Sequence, residues 1–200
     1  KINIKSNKAI FKFLNLPLNE FPPIKEILNE NENVVSLKEG LFKNLIKKVI
    51  FATSHDESKY ILNGALLSIE KNEINMVATD GYRLVSINSN LEEDNNSDIN
   101  VIIPNKTLGE LLKILENNDE KINIYLSKTN LYLSFRNILI NSKIIEGNFP
   151  NYKRLIPNTG KIKICINTEK MISVIKRMSI LSSSILPNSK NIIKISLEQN

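Results

Sequence analysis

The chain has 200 residues, 42% hydrophobic and 24% charged, enough apolar mass to bury a sizeable core in one or two domains. Lysine and arginine outnumber the acids 27 to 21, for a net charge of +6 and a pI near 9.3. One cysteine, one histidine, six glycines and no long apolar run exclude a disulfide framework, a multi-histidine or cysteine-rich metal centre, a phosphate-cradling glycine loop and a membrane-spanning helix.

Taken in chain order, the opening reads as two strands, Lys1 to Ser6 and Ala9 to Leu14, around an Ser6-Asn7-Lys8 turn. Phe21-Pro22-Pro23 then stops any regular element. Val34 to Leu37 alternates, and from Glu39 the apolar positions Phe42, Leu45, Ile46 and Val49 fall on one helical stripe. Three strand-like runs follow, Ile61 to Glu70, Glu73 to Thr79 and Arg83 to Ile87, with Asp80-Gly81 as a tight hairpin signal. Leu91 to Ser97 is acidic and aperiodic, hence a loop. Ile99 to Ile103 is a strand, Pro104 and Asn105 open a second helix striped by Leu108, Leu111, Leu112 and Leu115, and three strands follow: Lys121 to Ser127, Leu131 to Arg136 and Ile138 to Ile145.

Residues 33–148 therefore hold strand-helix-strand-strand-strand twice over. A longer period overlies this one. Phe21-Pro22 recurs as Phe149-Pro150, and LIKKVIFATS (Leu45 to Ser54) aligns without gaps on VIKRMSILSS (Val174 to Ser183), at offsets of 128 and 129 residues. The chain starts and stops in mid-pattern, so it reads as a whole central unit flanked by the tail of one like it and the head of another.

The charge is carried by lysine, with arginine only at Arg83, Arg136, Arg154 and Arg177. A lysine-borne excess suits sequence-independent contact with phosphates, and codon bias towards lysine, asparagine and isoleucine would give the same composition. The polar face of the first helix holds Lys43, Asn44, Lys47 and Lys48; that of the second mixes Lys106 and Lys113 with Glu110 and Glu116; the helix at Val174 carries Lys170, Lys176 and Arg177. Charged helix faces are commonly just solvated, but three of matching sign at repeat-equivalent places favour a shared polyanion.

Other groupings carry less. Ser54-His55-Asp56 spells a catalytic triad in letters only, because such groups are assembled by a fold and not by adjacency. Cys165, in the alternating run Lys161 to Asn167, reads as a small core side chain. Glu92-Glu93-Asp94 lacks ligand spacing and reads as a solvated loop. No catalytic residue, metal ligand or cofactor is expected.

Four stretches in order, DESKYILNGALL (Asp56 to Leu67), VATDGYRL (Val77 to Leu84), VIIPNKTLGELLKIL (Val101 to Leu115) and IIEGNFPNYKRLIP (Ile144 to Pro157), resemble the β sliding clamp of bacterial DNA polymerase III. The resemblance implies an α+β fold of DNA-clamp (processivity-fold) domains, each with two helices packed on antiparallel sheets. It implies the end of a first domain at 1–31, a complete second at 32–157 and the start of a third at 158–200. It further implies a non-catalytic processivity subunit that encircles double-stranded DNA as a homodimeric ring and holds the replicative polymerase. Contacts to DNA would come from the helix lysines Lys43, Lys47, Lys48, Lys106, Lys113 and Lys176 with Arg177, and from Lys59 and Tyr60 in a loop. A hydrophobic pocket for linear peptides of the polymerase, the clamp loader and other partners would be built by Leu62, Thr79, Gly81, Tyr82, Arg83, Leu84, Pro150, Arg154 and Leu155. Tyr82 stands where that family commonly shows histidine. The implied location is cytoplasmic and nucleoid-associated, or an organelle of bacterial origin. Two other classes stay open on the residues alone, a metal-dependent nucleic-acid-processing enzyme and a general nucleic-acid binder.

Overall fold

The alternating opening forms the hairpin its pattern predicts. In a computed structural model, which describes residues 2–7, 9–15, 17, 34–92, 98–157, 164–183 and 193–196, β1 (Ile2–Ser6) pairs antiparallel with β2 (Ala9–Phe13). Asn7 takes the left-handed conformation that a two-residue turn demands, with φ 51°. Phe21-Pro22-Pro23 lies outside the described residues.

The chain divides into two units, 1–150 and 151–200. In the first, the doubled grammar appears as two halves. One holds β3 (Val34–Lys38), α1 (Glu39–Val49), β4 (Gly64–Glu70), β5 (Glu73–Thr79) and β6 (Leu84–Asn90). The other holds β7 (Ile99–Pro104), α2 (Asn105–Ile114), β8 (Lys121–Leu126), β9 (Asn130–Phe135) and β10 (Ile138–Lys143). The strands make two four-stranded antiparallel sheets, ordered β10-β9-β8-β3 and β6-β5-β4-β7. Each half thus lends its first strand to the sheet of the other: Leu37 of β3 lies opposite Ile122 of β8, and Ile103 of β7 opposite Ala65 of β4.

The helices are anchored by the same reciprocity. No side chain caps α1; its first amides donate instead to carbonyls of the other half, Glu39 N to Glu120 O at 2.8 Å and Gly40 N to Asn118 O at 3.0 Å. The first amide of α2, from Asn105, donates to Asn63 O at 2.8 Å. Both stripes then face one core. Phe42, Leu45, Ile46 and Val49 meet Leu108, Leu111 and Leu115 and the inward residues of both sheets, while Leu112 is only partly buried at its margin. Strand alternation supplies the rest, such as Leu67, Ile69, Ile74 and Met76 from one sheet and Ile122, Ile124, Leu131 and Leu133 from the other.

Three sequence expectations are corrected. β4 begins at Gly64 and not at Ile61, because Asp56 Oδ1 accepts from Ser58 N at 3.0 Å and Ser58 Oγ at 2.7 Å and starts a 3₁₀ segment, Glu57–Leu62. The link after β5 is a four-residue loop, since Thr79 pairs with Leu84, and β6 runs on to Asn90. Cys165 is exposed rather than in a core; residues 164–167 form no strand.

A buried ion pair is the feature that periodicity hides. Glu39 in the first turn of α1 is fully buried, and its Oε1 accepts from Glu116 N at 2.7 Å and from Arg136 Nη2 at 3.1 Å. Arg136 sits in the β9–β10 turn with φ 51°, also donates to Ile114 O at 2.8 Å, and pairs through Nη1 with Glu116. One guanidinium therefore ties the start of α1 to the end of α2.

The second unit, taken by itself, contains a 3₁₀ turn, Tyr152–Arg154, and α3 (Thr168–Ser183). Asn167 caps α3, its Oδ1 accepting from Lys170 N at 3.0 Å.

Candidate functional site

The outer faces of the helices carry the lysines the pattern placed there, but not all stand alike. Lys47, Lys48 and Lys106 are exposed. Lys43 is half-buried and its Nζ donates to Leu115 O, so it holds α1 to α2. Lys113 is paired with Glu110 on its own helix at 2.8 Å, which offsets its charge. In the second unit Lys176 and Arg177 are exposed on α3. The freely presented positive charge of the first unit's helices is therefore narrower than the sequence implies.

The loop residues regroup. Tyr60 is 57% exposed in the 3₁₀ segment. Lys59 instead reaches the β5–β6 loop, where its Nζ donates to Asp80 O at 3.0 Å and lies 4.9 Å from the centre of the Tyr82 ring. Lys59 thus lies against Tyr82, one of the residues expected to bind peptide.

The β5–β6 loop itself is tightly made. Thr79 is buried, and its Oγ1 donates to Arg83 O at 2.7 Å and accepts from Gly81 N at 3.1 Å. Asp80 Oδ1 accepts from the amides of Tyr82 at 2.9 Å and Arg83 at 3.0 Å, and its Oδ2 takes Arg83 Nε at 2.9 Å. Gly81 has φ +92°, a left-handed conformation that any side chain would strain. The outcome is a stiff tip on which Tyr82 is 93% exposed and Arg83 lies 5.7 Å from the Phe51 ring. Phe51, 56% exposed in the 3₁₀ turn Ile50–Ala52 that follows α1, joins the patch without any sequence signal but a single aromatic outside the helical stripe.

Thr79 therefore builds the loop from inside, while Leu62 and Leu84 are half-buried and Pro150 is exposed. Arg154 and Leu155 belong to the second unit, where both are exposed. An exposed flat ring with a lysine over it and an arginine next in the chain can hold an apolar or aromatic anchor and fix carbonyls or carboxylates around it.

The amides of Tyr82 and Arg83, with the Arg83 guanidinium adding to them, hold the Asp80 carboxyl below its ordinary value. A depressed folded value means that Asp80 stabilises the loop fully above the unfolded value, and that this is lost as pH falls through the lower folded one. Asp80→Ala is expected to speed hydrogen exchange at the Tyr82 and Arg83 amides near neutral pH, and acid is expected to erase the difference from the parent. A carboxyl titration by NMR at or above the ordinary aspartate range would refute the assignment.

Ser54, His55 and Asp56 lie in an irregular link between two 3₁₀ segments and make no triad. Ser54 is buried with its Oγ accepting from Asp56 N at 3.0 Å, Asp56 caps Ser58, and His55 Nδ1 lies 3.5 Å from Asn105 Nδ2. Hydrogen bonds to Ser58 hold the Asp56 carboxyl below its usual range as well. Glu92 pairs with Lys38 at 2.7 Å, and Glu93 and Asp94 lie outside the described residues.

Two βαβββ halves that exchange their first strands around one core, with lysine-bearing helices, define a DNA-clamp domain. The chain belongs to the DNA polymerase III beta subunit family: the sequence pattern of that subunit's central domain matches residues 36–151. The chain is similar to the Beta sliding clamp of Bacillus subtilis, with 34% identity over 193 residues, covering 96% of this chain and 50% of that protein. Likeness to the Beta sliding clamp of Halalkalibacterium halodurans is 31% over 183 residues, covering 90% and 47%. The crystal structure of the Bacillus subtilis DNA polymerase sliding clamp superposes with a TM-score of 0.81 at 34% identity, covering 92% of this chain and 48% of that one. The chain spans about half the length of the curated relatives it matches.

Proposed function

We propose that this chain is part of a sliding clamp, a non-catalytic subunit that encircles duplex DNA and tethers the replicative polymerase. In this reading residues 1–31 end a first clamp domain, 32–157 form the second and 158–200 begin the third, and two copies of the full-length protein close a ring in the bacterial cytoplasm. The observation that carries the proposal is the match of 36–151 to the family's central domain, joined to the strand-exchanged fold. A clamp needs only a wet, mildly positive lining that attracts phosphates and reads no base, which Lys47, Lys48 and Lys106, with Lys176 and Arg177 in the second unit, can supply. Lysine suits this better than arginine because it acts as a hydrated point charge. Partner peptides dock at Tyr82, Arg83, Leu62, Leu84 and Lys59, with Pro150 of the same unit.

The test is topological. Full-length protein placed on circular duplex by its clamp loader is expected to persist at moderately high salt and to be lost rapidly once the circle is cut. Equal retention on circular and linear DNA would mean that direct binding holds it, as for a general nucleic-acid binder, and the clamp reading would fall.

A further inference from the structure

The two halves of the first unit are equivalent but not equally closed. Matching the helix starts, Glu39 and Asn105, sets Ser36 against Ile102 and Leu41 against Thr107. Matching the strand ends, Asn90 and Lys143, sets Ser89 against Ser142 and Glu92 against Ile145. The pairings of Lys38 with Lys121 and of Pro104 with Gly64 make Lys121 the counterpart of Gly64.

In the second half this place is sealed by the chain itself. After β10, Ile145 bridges to β7, donating its amide to Ile102 O at 2.9 Å, and is almost fully buried. Its Cδ1 lies over Gly64, where an added Cβ would come within 2.9 Å of it, and Thr107 Oγ1 meets Ser142 Oγ at 2.7 Å. In the first half Glu92 replaces the sealing isoleucine, and its carboxylate turns to Lys38 at 2.7 Å. Leu41 and Ser89 replace the hydroxyl pair. What is left is a cleft of about 250 Å³, with Leu37, Leu41 and Leu91 among its walls.

We propose that this cleft receives an aliphatic side chain from an extended, uncharged segment of a partner polypeptide, bridging to β3 at Ser36 as Ile145 bridges to β7. Three observations argue for that occupant. The equivalent position is filled by an isoleucine in extended backbone, so the geometry for such a bridge exists in this fold. The volume is smaller than the roughly 300–1,000 Å³ of small-molecule sites and suits one or two side chains. Two lysines, Lys38 and Lys121, and two acids, Glu92 and Asp119, line the cleft, so no net charge favours a charged ligand.

The probe is a capped Ser-Ile-Ile-Ser tetrapeptide, titrated into the chain and followed by amide NMR against a capped tetraserine. Saturable shifts at Ser36, Leu41, Ser89 and Leu91 with millimolar affinity are expected, and none from tetraserine. Glu92→Ile, which restores the sealing residue type, and Ser89→Leu, which fills the cleft from another wall, are each expected to weaken the peptide at least about tenfold. Shifts centred instead on Gly64 and Ile102, no saturable shift, or parental affinity in either folded variant would overturn the proposal.

Discussion

Arg136→Ala is expected to lower the stability of the first unit by about 3 kcal/mol, read from the midpoint of urea unfolding. The side chain of Glu39 is wholly buried and that of Arg136 is 29% exposed, so their pairing is shielded from most of the solvent that weakens surface ion pairs. Without the guanidinium, Glu39 Oε1 keeps only the Glu116 amide, and Oε2 has no hydrogen-bond partner among the described residues even in the parent. A buried carboxylate with one donor is costly, and the Ile114 carbonyl at the end of α2 loses a donor too. Arg136→Gly separates this loss from the backbone, because glycine relieves the positive φ while breaking the same pair. The glycine variant is expected to be more stable than the alanine variant by up to about 1 kcal/mol, yet well below the parent. If alanine there cost less than about 1 kcal/mol, the pair would rank with ordinary surface bridges.

Gly64→Ala is the second large effect, about 3 kcal/mol, at the upper end of what overpacking costs. An added Cβ would stand 2.4 Å from Ile103 O, 2.9 Å from Ile145 Cδ1 and 3.0 Å from Ile102 Cγ2. The first of these is backbone in the β4–β7 ladder, where Gly64 lies opposite Pro104, so it cannot swing aside as a side chain could. Gly109 offers the contrast within α2. Nothing lies within 4 Å of its added Cβ, and Gly109→Ala is expected to stabilise by about 0.5–1 kcal/mol through helix propensity alone. Thermal unfolding of the two variants side by side checks both signs, and a neutral Gly64→Ala would mean that β7 shifts freely.

Much of this architecture was legible before any coordinates. The stripe Phe42, Leu45, Ile46 and Val49 is wholly buried, and the doubled strand-helix-strand-strand-strand grammar is the repeat the fold displays. Periodicity is a local signal, and what it missed is non-local. Nothing in Val34 to Leu37 says that its partner is β8, almost 90 residues on, rather than a neighbour in its own half. Glu39 reads as an ordinary first-turn acid, favourable at a helix start whether solvated or buried. Its burial follows from an arginine 97 residues away. The sequence reads Ile61 to Asn63 as part of the strand-like run Ile61 to Glu70. A local cap at Asp56 competes with that pattern and wins. Of the site residues, Tyr82 and Arg83 came from the wording of one motif. Phe51 and the regrouping of Lys59 came only from the way the 3₁₀ turns fold back on the β5–β6 loop.

The lending of first strands between halves has a dynamic corollary. A half that owned all its strands could breathe open alone while its sibling stayed closed. Here, detaching β3 strips an edge from the sheet of the other half and withdraws the loop that anchors α1, and detaching β7 does the converse. Partial opening therefore has no cheap intermediate, and the two halves are expected to open as one cooperative foldon whose core amides exchange together.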